Sequence, residues 1–248
     1  GYAATLNWAN PAVSSLRRQA LTPMFGEEPV ELGLESQAQV LDRLRNSSEP
    51  DYRAMFRRAF PGETPDEVVN LDRLTKALEV FQRTMISANS PFDDYNYRGD
   101  TDALSPAAKR GMRLFFSERL ECFHCHGGFN GEGAYPEGNQ GLYDVSADPT
   151  DRGRFKAPTL RNIAVTAPYM HDGSIETLRG VIDHYARGGR AIDEGPHAGD
   201  GRESPLKSEL INGFVIREPD KQDLIAFLES LTDHQFLSDP KLSDPFED

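Results

Sequence analysis

Apolar positions recur at intervals of three and four along most of the chain, and the strict alternation that marks a half-buried strand is absent. Ser14 to Leu21 reads as a short helix with Ser14 or Ser15 as its cap, and Pro23 and Pro29 break the next stretch. Glu35 to Asn46 places Val40, Leu41 and Leu44 on one helical face. Asp51 to Phe60 does the same with Tyr52, Met55, Phe56 and Ala59, until Pro61-Gly62 ends it. The longest helix, from about Asn70 to Ser87, carries Leu71, Leu74, Leu78, Phe81 and Met85 as a core-building stripe. Ser90 to Asp102 is polar and turn-rich, and a domain boundary is expected there.

Beyond it, Ser105-Pro106 starts a helix, Ser at the cap and Pro in the first turn, and Met112, Leu114, Phe115 and Phe116 come after. Gly127 to Gly153 is glycine-rich and weakly patterned. A helix from about Ile175 to Ala186 bears Leu178, Val181, Ile182 and Tyr185 on one face, and Pro219 opens another that runs through Leu231. An acidic tail extends beyond Leu237. The predicted class is all-α, with no internal repeat.

Composition narrows the function. The 248 residues hold 27 basic and 40 acidic side chains, a formal charge of −13, which argues against binding a phosphate backbone. No run of 18 apolar residues is present, so no membrane-spanning helix is expected. Of the 2 cysteines, both stand in Cys122-Phe123-His124-Cys125-His126. This is the C-x-x-C-H attachment pattern of a c-type haem. Two thiols three residues apart can form thioethers to the two vinyl groups, and the His after them then lies under the iron. Cys122 and Cys125 are therefore the expected anchors and His126 the proximal ligand, with His124 a partly exposed spacer. A thioredoxin-like pair wants a βαβ context, and a zinc site wants further Cys or a short-spaced His pair; neither is found.

Three residues compete for the sixth position. Met170 would give an electron-transfer cytochrome, His171 a bis-His site and Tyr185 a His/Tyr site. By residue type alone Met170 leads. The ordinary reading of Tyr185 is a core tyrosine, and of Met170 a gap-filler.

The run Gly153-Arg154-Phe155-Lys156-Ala157-Pro158-Thr159-Leu160-Arg161-Asn162, continuing through Ala167-Pro168-Tyr169-Met170-His171-Asp172-Gly173-Ser174, resembles the second-haem domain of the bacterial di-haem cytochrome c peroxidases and MauG. Trp8 to Gly33, with Gln19-Ala20, Pro23 and Pro29-Val30-Glu31-Leu32-Gly33, resembles the stretch after their first haem. Ser90-Pro91-Phe92-Asp93 and Cys122 to Phe129 are similar to the MbnH-type branch found in methanobactin gene clusters.

The resemblance implies two cytochrome c-like haem domains. Residues 1–102 would be the remainder of the peroxidatic first-haem domain, 103–234 the second haem domain, and 235–248 a tail packing back on the first. It moves the expected sixth ligand to Tyr185, where the peroxidases carry Met and MauG-like enzymes Tyr. It makes Trp8 the relay between haems, lines the distal pocket with Gln19, Pro23 and Glu31, and gives Glu31 the acid–base role in peroxide cleavage. It assigns the backbone carbonyls of Thr166 and Pro168 to a calcium ion.

The activity implied is peroxide-dependent oxidation of a residue, tryptophan to kynurenine, on an MbnP-like protein substrate. The alternatives are a peroxidase fed by a small electron-donor protein and a plain electron-transfer cytochrome. Covalent haem implies export, so the periplasm is expected. The family carries two C-x-x-C-H motifs and this sequence one, so the first is expected ahead of Gly1; without it, Gln19 and Glu31 would line an empty space.

Overall fold

A computed structural model of the chain describes residues 6–7, 10–26, 30–62, 68–127, 142–151, 154–195 and 198–244. It is predominantly helical, and the chain divides into two compact units, Pro11–Met85 and Ile86–Asp248.

The first unit holds α1 (Leu16–Phe25), α2 (Gln37–Asn46), α3 (Tyr52–Ala59) and α4 (Leu71–Thr84). Each starts where a short polar side chain can accept from a free first-turn amide: Ser15, Ser36, Asp51 and Asn70 accept from Arg18, Gln39, Ala54 and Arg73. Pro23, expected to break α1, lies inside it. The missing N–H costs one bond in the last turn only, so the helix runs on to Phe25.

Leu41, Phe56, Val68 and Val69 form the core of this unit, with Leu74 packed against it. Arg73 is buried beside them, donating to the Val68 carbonyl at 3.0 Å with its guanidinium over the Phe60 ring. The core closes over the first turns of α4 alone. The expected stripe is therefore only partly covered, and Phe81 is 45% exposed.

The second unit contains α5 (Pro91–Tyr97), α6 (Pro106–Phe115), α7 (Cys122–His126), α8 (Tyr143–Ser146), α9 (Leu178–Arg187), α10 (Glu218–Glu229) and α11 (His234–Leu237). Phe115, Leu120, Ile182, Leu224, Phe227, Leu228 and Leu231 make its core. α6 crosses α10 at Gly111, where a Cβ would stand 1.9 Å from the Asp223 carbonyl oxygen. Only glycine permits that approach. A two-residue hairpin, β1 (Ala191–Ile192) with β2 (Gly199–Asp200), departs from the strandless expectation.

The boundary expected within residues 90–102 falls instead after Met85. The segment read as a turn-rich linker contains α5, started by a capping box in which Ser90 and Asp93 bond each other's backbone amides. It is also sewn into the second unit. Arg161 donates to both Asp93 carboxylate oxygens, at 2.7 and 2.8 Å, and Asn162 donates to Ser87 at 3.0 Å. The amides of Asn89 and Asp233 complete the network through Asp233 and Asn162. Residues 235–244 fall within this unit.

Asp93 and Arg161 are 2% and 8% exposed at the side chain. Burial alone would raise the Asp93 carboxyl, but hydrogen bonds from Arg161 and Ser90 overcome it and hold the group below the usual carboxylate range. The pair's contribution is present above the ordinary value near 3.8 and is lost as pH falls through the lowered one. Asp93→Asn is expected to cost about 3–5 kcal/mol near neutral pH, since Arg161 is left buried without its anion. Urea unfolding should show that deficit, and it should shrink in acid below the unfolded carboxylate range.

Candidate haem site

The Cys-x-x-Cys-His run forms the single-turn α7, entered through Glu121 in a left-handed conformation (φ 54°). The two cysteines, three apart, share a face of that turn. Both thiols are free. Burial pushes Cys122 up to about 12, with Cys125 adding to the effect, and raises Cys125 too. Both therefore stand as neutral thiols at neutral pH.

The Nδ1 of His126 lies 3.1 Å from the Pro158 carbonyl oxygen. A carbonyl can only accept, so Nδ1 carries the proton and Nε2 keeps its lone pair. Burial also lowers the basicity of the ring, opposed by that hydrogen bond. A neutral imidazole with Nε2 available is what an iron ligand requires.

α9 supplies the remaining donor. Thr177 caps it by accepting from Gly180, and Gly188 closes it with φ 79°. Tyr185 lies on the side of α9 shared with buried Ile182 and with Leu178. Burial pushes its phenol up to about 12, and thiolate charge on Cys125 or Cys122 would act in the same direction. His171 instead feels Asp172 and Arg190, and its ring stacks on Phe155 at 5.4 Å. Met170 sits in a left-handed turn (φ 69°), half-buried. Of the two titratable sixth-ligand candidates, Tyr185 and not His171 is coupled electrostatically to the cysteines. A pair of anchoring thiols, an oriented imidazole and a half-buried phenol fit a c-type haem. His126 would hold the iron through Nε2 and Tyr185 through its oxygen.

A family profile described as di-haem cytochrome c peroxidase matches residues 1–102. The chain is 32% identical to the methylamine utilization protein MauG of Methylorubrum extorquens over 226 residues, 88% of this chain and 58% of that protein. It is 34% identical to the cytochrome c551 peroxidase of Pseudomonas aeruginosa over 148 residues, 54% of this chain and 41% of that one. Among solved structures, a MauG-like protein associated with microbial copper homeostasis superposes with a TM-score of 0.86 at 43% identity, over 98% of this chain and 76% of that one.

This chain belongs to the MauG-like di-haem cytochrome c peroxidase family. It spans 58% of the length of the Methylorubrum MauG. Membership implies haem c, in agreement with the donor set.

The other family positions are spread along the chain. Trp8 lies outside the described residues. Gln19 and Pro23 are four apart on α1 and so stand one above the other. The Leu32 amide donates to the Pro23 carbonyl at 3.0 Å, folding the bend that carries exposed Glu31 back onto the end of α1. Gln19, Pro23 and the Glu31 bend are thus gathered on the first unit. Thr166 and Pro168 are exposed. Their segment is pinned by the Tyr169 hydroxyl, which donates to the Ile163 carbonyl at 3.0 Å.

Two features escaped sequence reasoning. The role of Pro158 is played by a backbone carbonyl, which no side-chain pattern reveals. His124, read as a spacer, stacks on Phe123 at 4.2 Å and approaches Glu118 at 3.5 Å.

Proposed function

We propose that this chain is part of a periplasmic di-haem oxidoreductase that uses hydrogen peroxide to oxidise a residue of a docked partner protein, tryptophan to kynurenine. The observation that carries the reading is the phenol of Tyr185 on the face of α9 shared with Ile182, pushed up by burial and coupled to Cys122 and Cys125. Bound there, haem c supplies a redox centre able to take up oxidising equivalents.

The chain's own residues set what that centre does. The Pro158 carbonyl holds the His126 imidazole in one tautomer and orientation. Tyr185 would hold the iron as a phenolate, a hard anionic oxygen that favours higher oxidation states. In the first unit, Glu31 would carry a proton from one peroxide oxygen to the other, with Gln19 and Pro23 lining the same pocket. Trp8 would pass electrons between the two centres. The backbone carbonyls of Thr166 and Pro168 would bind calcium. The acidic surface favours a partner with a basic face.

The full-length holoprotein should be given peroxide with either an MbnP-like protein or a reduced small cytochrome. The expected result is kynurenine on the partner, found by mass spectrometry, with slow oxidation of the cytochrome. Rapid cytochrome oxidation with the partner's tryptophans intact would instead assign the chain to the peroxidase branch.

A further inference from the structure

Long-range oxidation requires a route by which electrons reach the haem site from the protein surface, and the second unit contains a continuous stack of rings that begins inside the haem-attachment loop. Phe123, between the two cysteines, lies 6.4 Å from Phe116 between ring centroids. Phe116 lies 6.2 Å from Phe227 in an edge-to-face contact. Phe227, 2% exposed, lies 5.7 Å from Phe92. Phe92 meets Tyr97 edge-on at 6.1 Å, and Tyr97 is 56% exposed. Each separation falls within the range of packed aromatic pairs, so no gap interrupts the medium from the attachment loop to solvent.

Phenylalanine has no proton to release and is hard to oxidise, so these rings act as a tunnelling bridge. Tyrosine is oxidised far more easily because its phenol can lose an electron and a proton together. Tyr97 is the oxidisable ring at the open end of the path. Two other tyrosines of the second unit are less suited. The Tyr95 ring lies under the Lys109 ammonium, 5.4 Å from its centroid, and that charge opposes withdrawal of an electron. Tyr169 is buried and its hydroxyl is committed to a backbone carbonyl, a poor proton acceptor.

We infer that Tyr97 is a surface redox relay, the residue through which a docked protein side chain is oxidised. The inference rests on the function proposed above. Hydrogen peroxide is the oxidant, reduced to two waters with two electrons and two protons. In each of two successive steps Tyr97 gives one electron toward the site held by His126 and Tyr185, and its phenolic proton to solvent, leaving a neutral phenoxyl. That phenoxyl returns to the phenol by taking one electron and one proton from the partner's indole or phenol side chain.

Full-length holoprotein is treated with peroxide and a nitroso spin trap without partner, and adducts are located by peptide mass spectrometry while peroxide consumption is monitored in the same sample. The dominant adduct should fall on Tyr97 and be lost in Tyr97→Phe, which keeps the ring that meets Phe92. Phe92→Leu, which removes one ring and keeps Tyr97, should lower it several-fold. Peroxide consumption with adducts elsewhere, or with none, would overturn the relay and leave the proposed function standing. An equal Tyr97 adduct in apoprotein produced without haem attachment would mark solution chemistry and overturn it too. If peroxide is not consumed, the proposed function fails and the relay with it.

Discussion

A chain in which Cys122 and Cys125 are both replaced by alanine is expected to release all the haem of its second unit on denaturation, where the parent retains it. The two thiols share one face of α7, are protonated and stand in no disulfide. Each can form one thioether, and either single variant should keep one. Only the double change makes this haem extractable into acidic organic solvent. Mass spectrometry of the denatured protein reads the outcome directly, as loss of one haem from the covalent mass. The His126 imidazole would still be held by Pro158, so some haem should still associate in the native state. Covalent haem persisting on the peptide containing residues 122–126 of the double variant would mean that the attachment chemistry is misassigned.

Tyr185→Met is expected to have the next largest effect. It replaces a hard oxygen donor with a soft thioether at the end of α9, with little change in side-chain volume. The midpoint potential of the second haem should rise, because a His/Met pair favours the reduced iron. Peroxide-driven oxidation of a partner should fall by roughly ten- to a hundred-fold, the usual scale for altered ligation and its supporting shell. Spectroelectrochemical titration checks the first effect and partner turnover the second. Tyr185→Phe separates ligation from packing, because it removes the oxygen and keeps the ring. An unchanged ligand field in Tyr185→Phe would exclude the phenol from the iron.

The chemistry-bearing parts of this molecule differ in how plainly the sequence displays them. Cys122, Cys125 and His126 are adjacent and type-specific, so their role is legible from spacing alone. The helix starts are nearly as plain, because Ser15, Ser36, Asp51, Asn70, Ser105 and Thr177 are short acceptors at the positions where amides lack partners. Tyr185 occupies a core-facing position on an amphipathic helix, and periodicity there cannot distinguish a ligand from a packed ring. Family likeness was needed to single it out.

Other features were illegible for physical reasons. The Asp93–Arg161 pair joins residues 68 apart in sequence, and its polar segment therefore reads as a linker. The stripe on α4 predicts a buried face, yet burial depends on what lies opposite, which a single helix does not encode. At Gly111 the reason for glycine is the backbone of Asp223, more than a hundred residues later in the chain.

The bond between His126 and Pro158 spans 32 residues. Thioether formation involves only the short segment that contains both cysteines. Orientation of the imidazole has to wait until residue 158 has packed, so tethering is a local event and alignment a tertiary one. A substitution that unseats residue 158 is therefore expected to leave haem tethered while freeing the ring that should hold it.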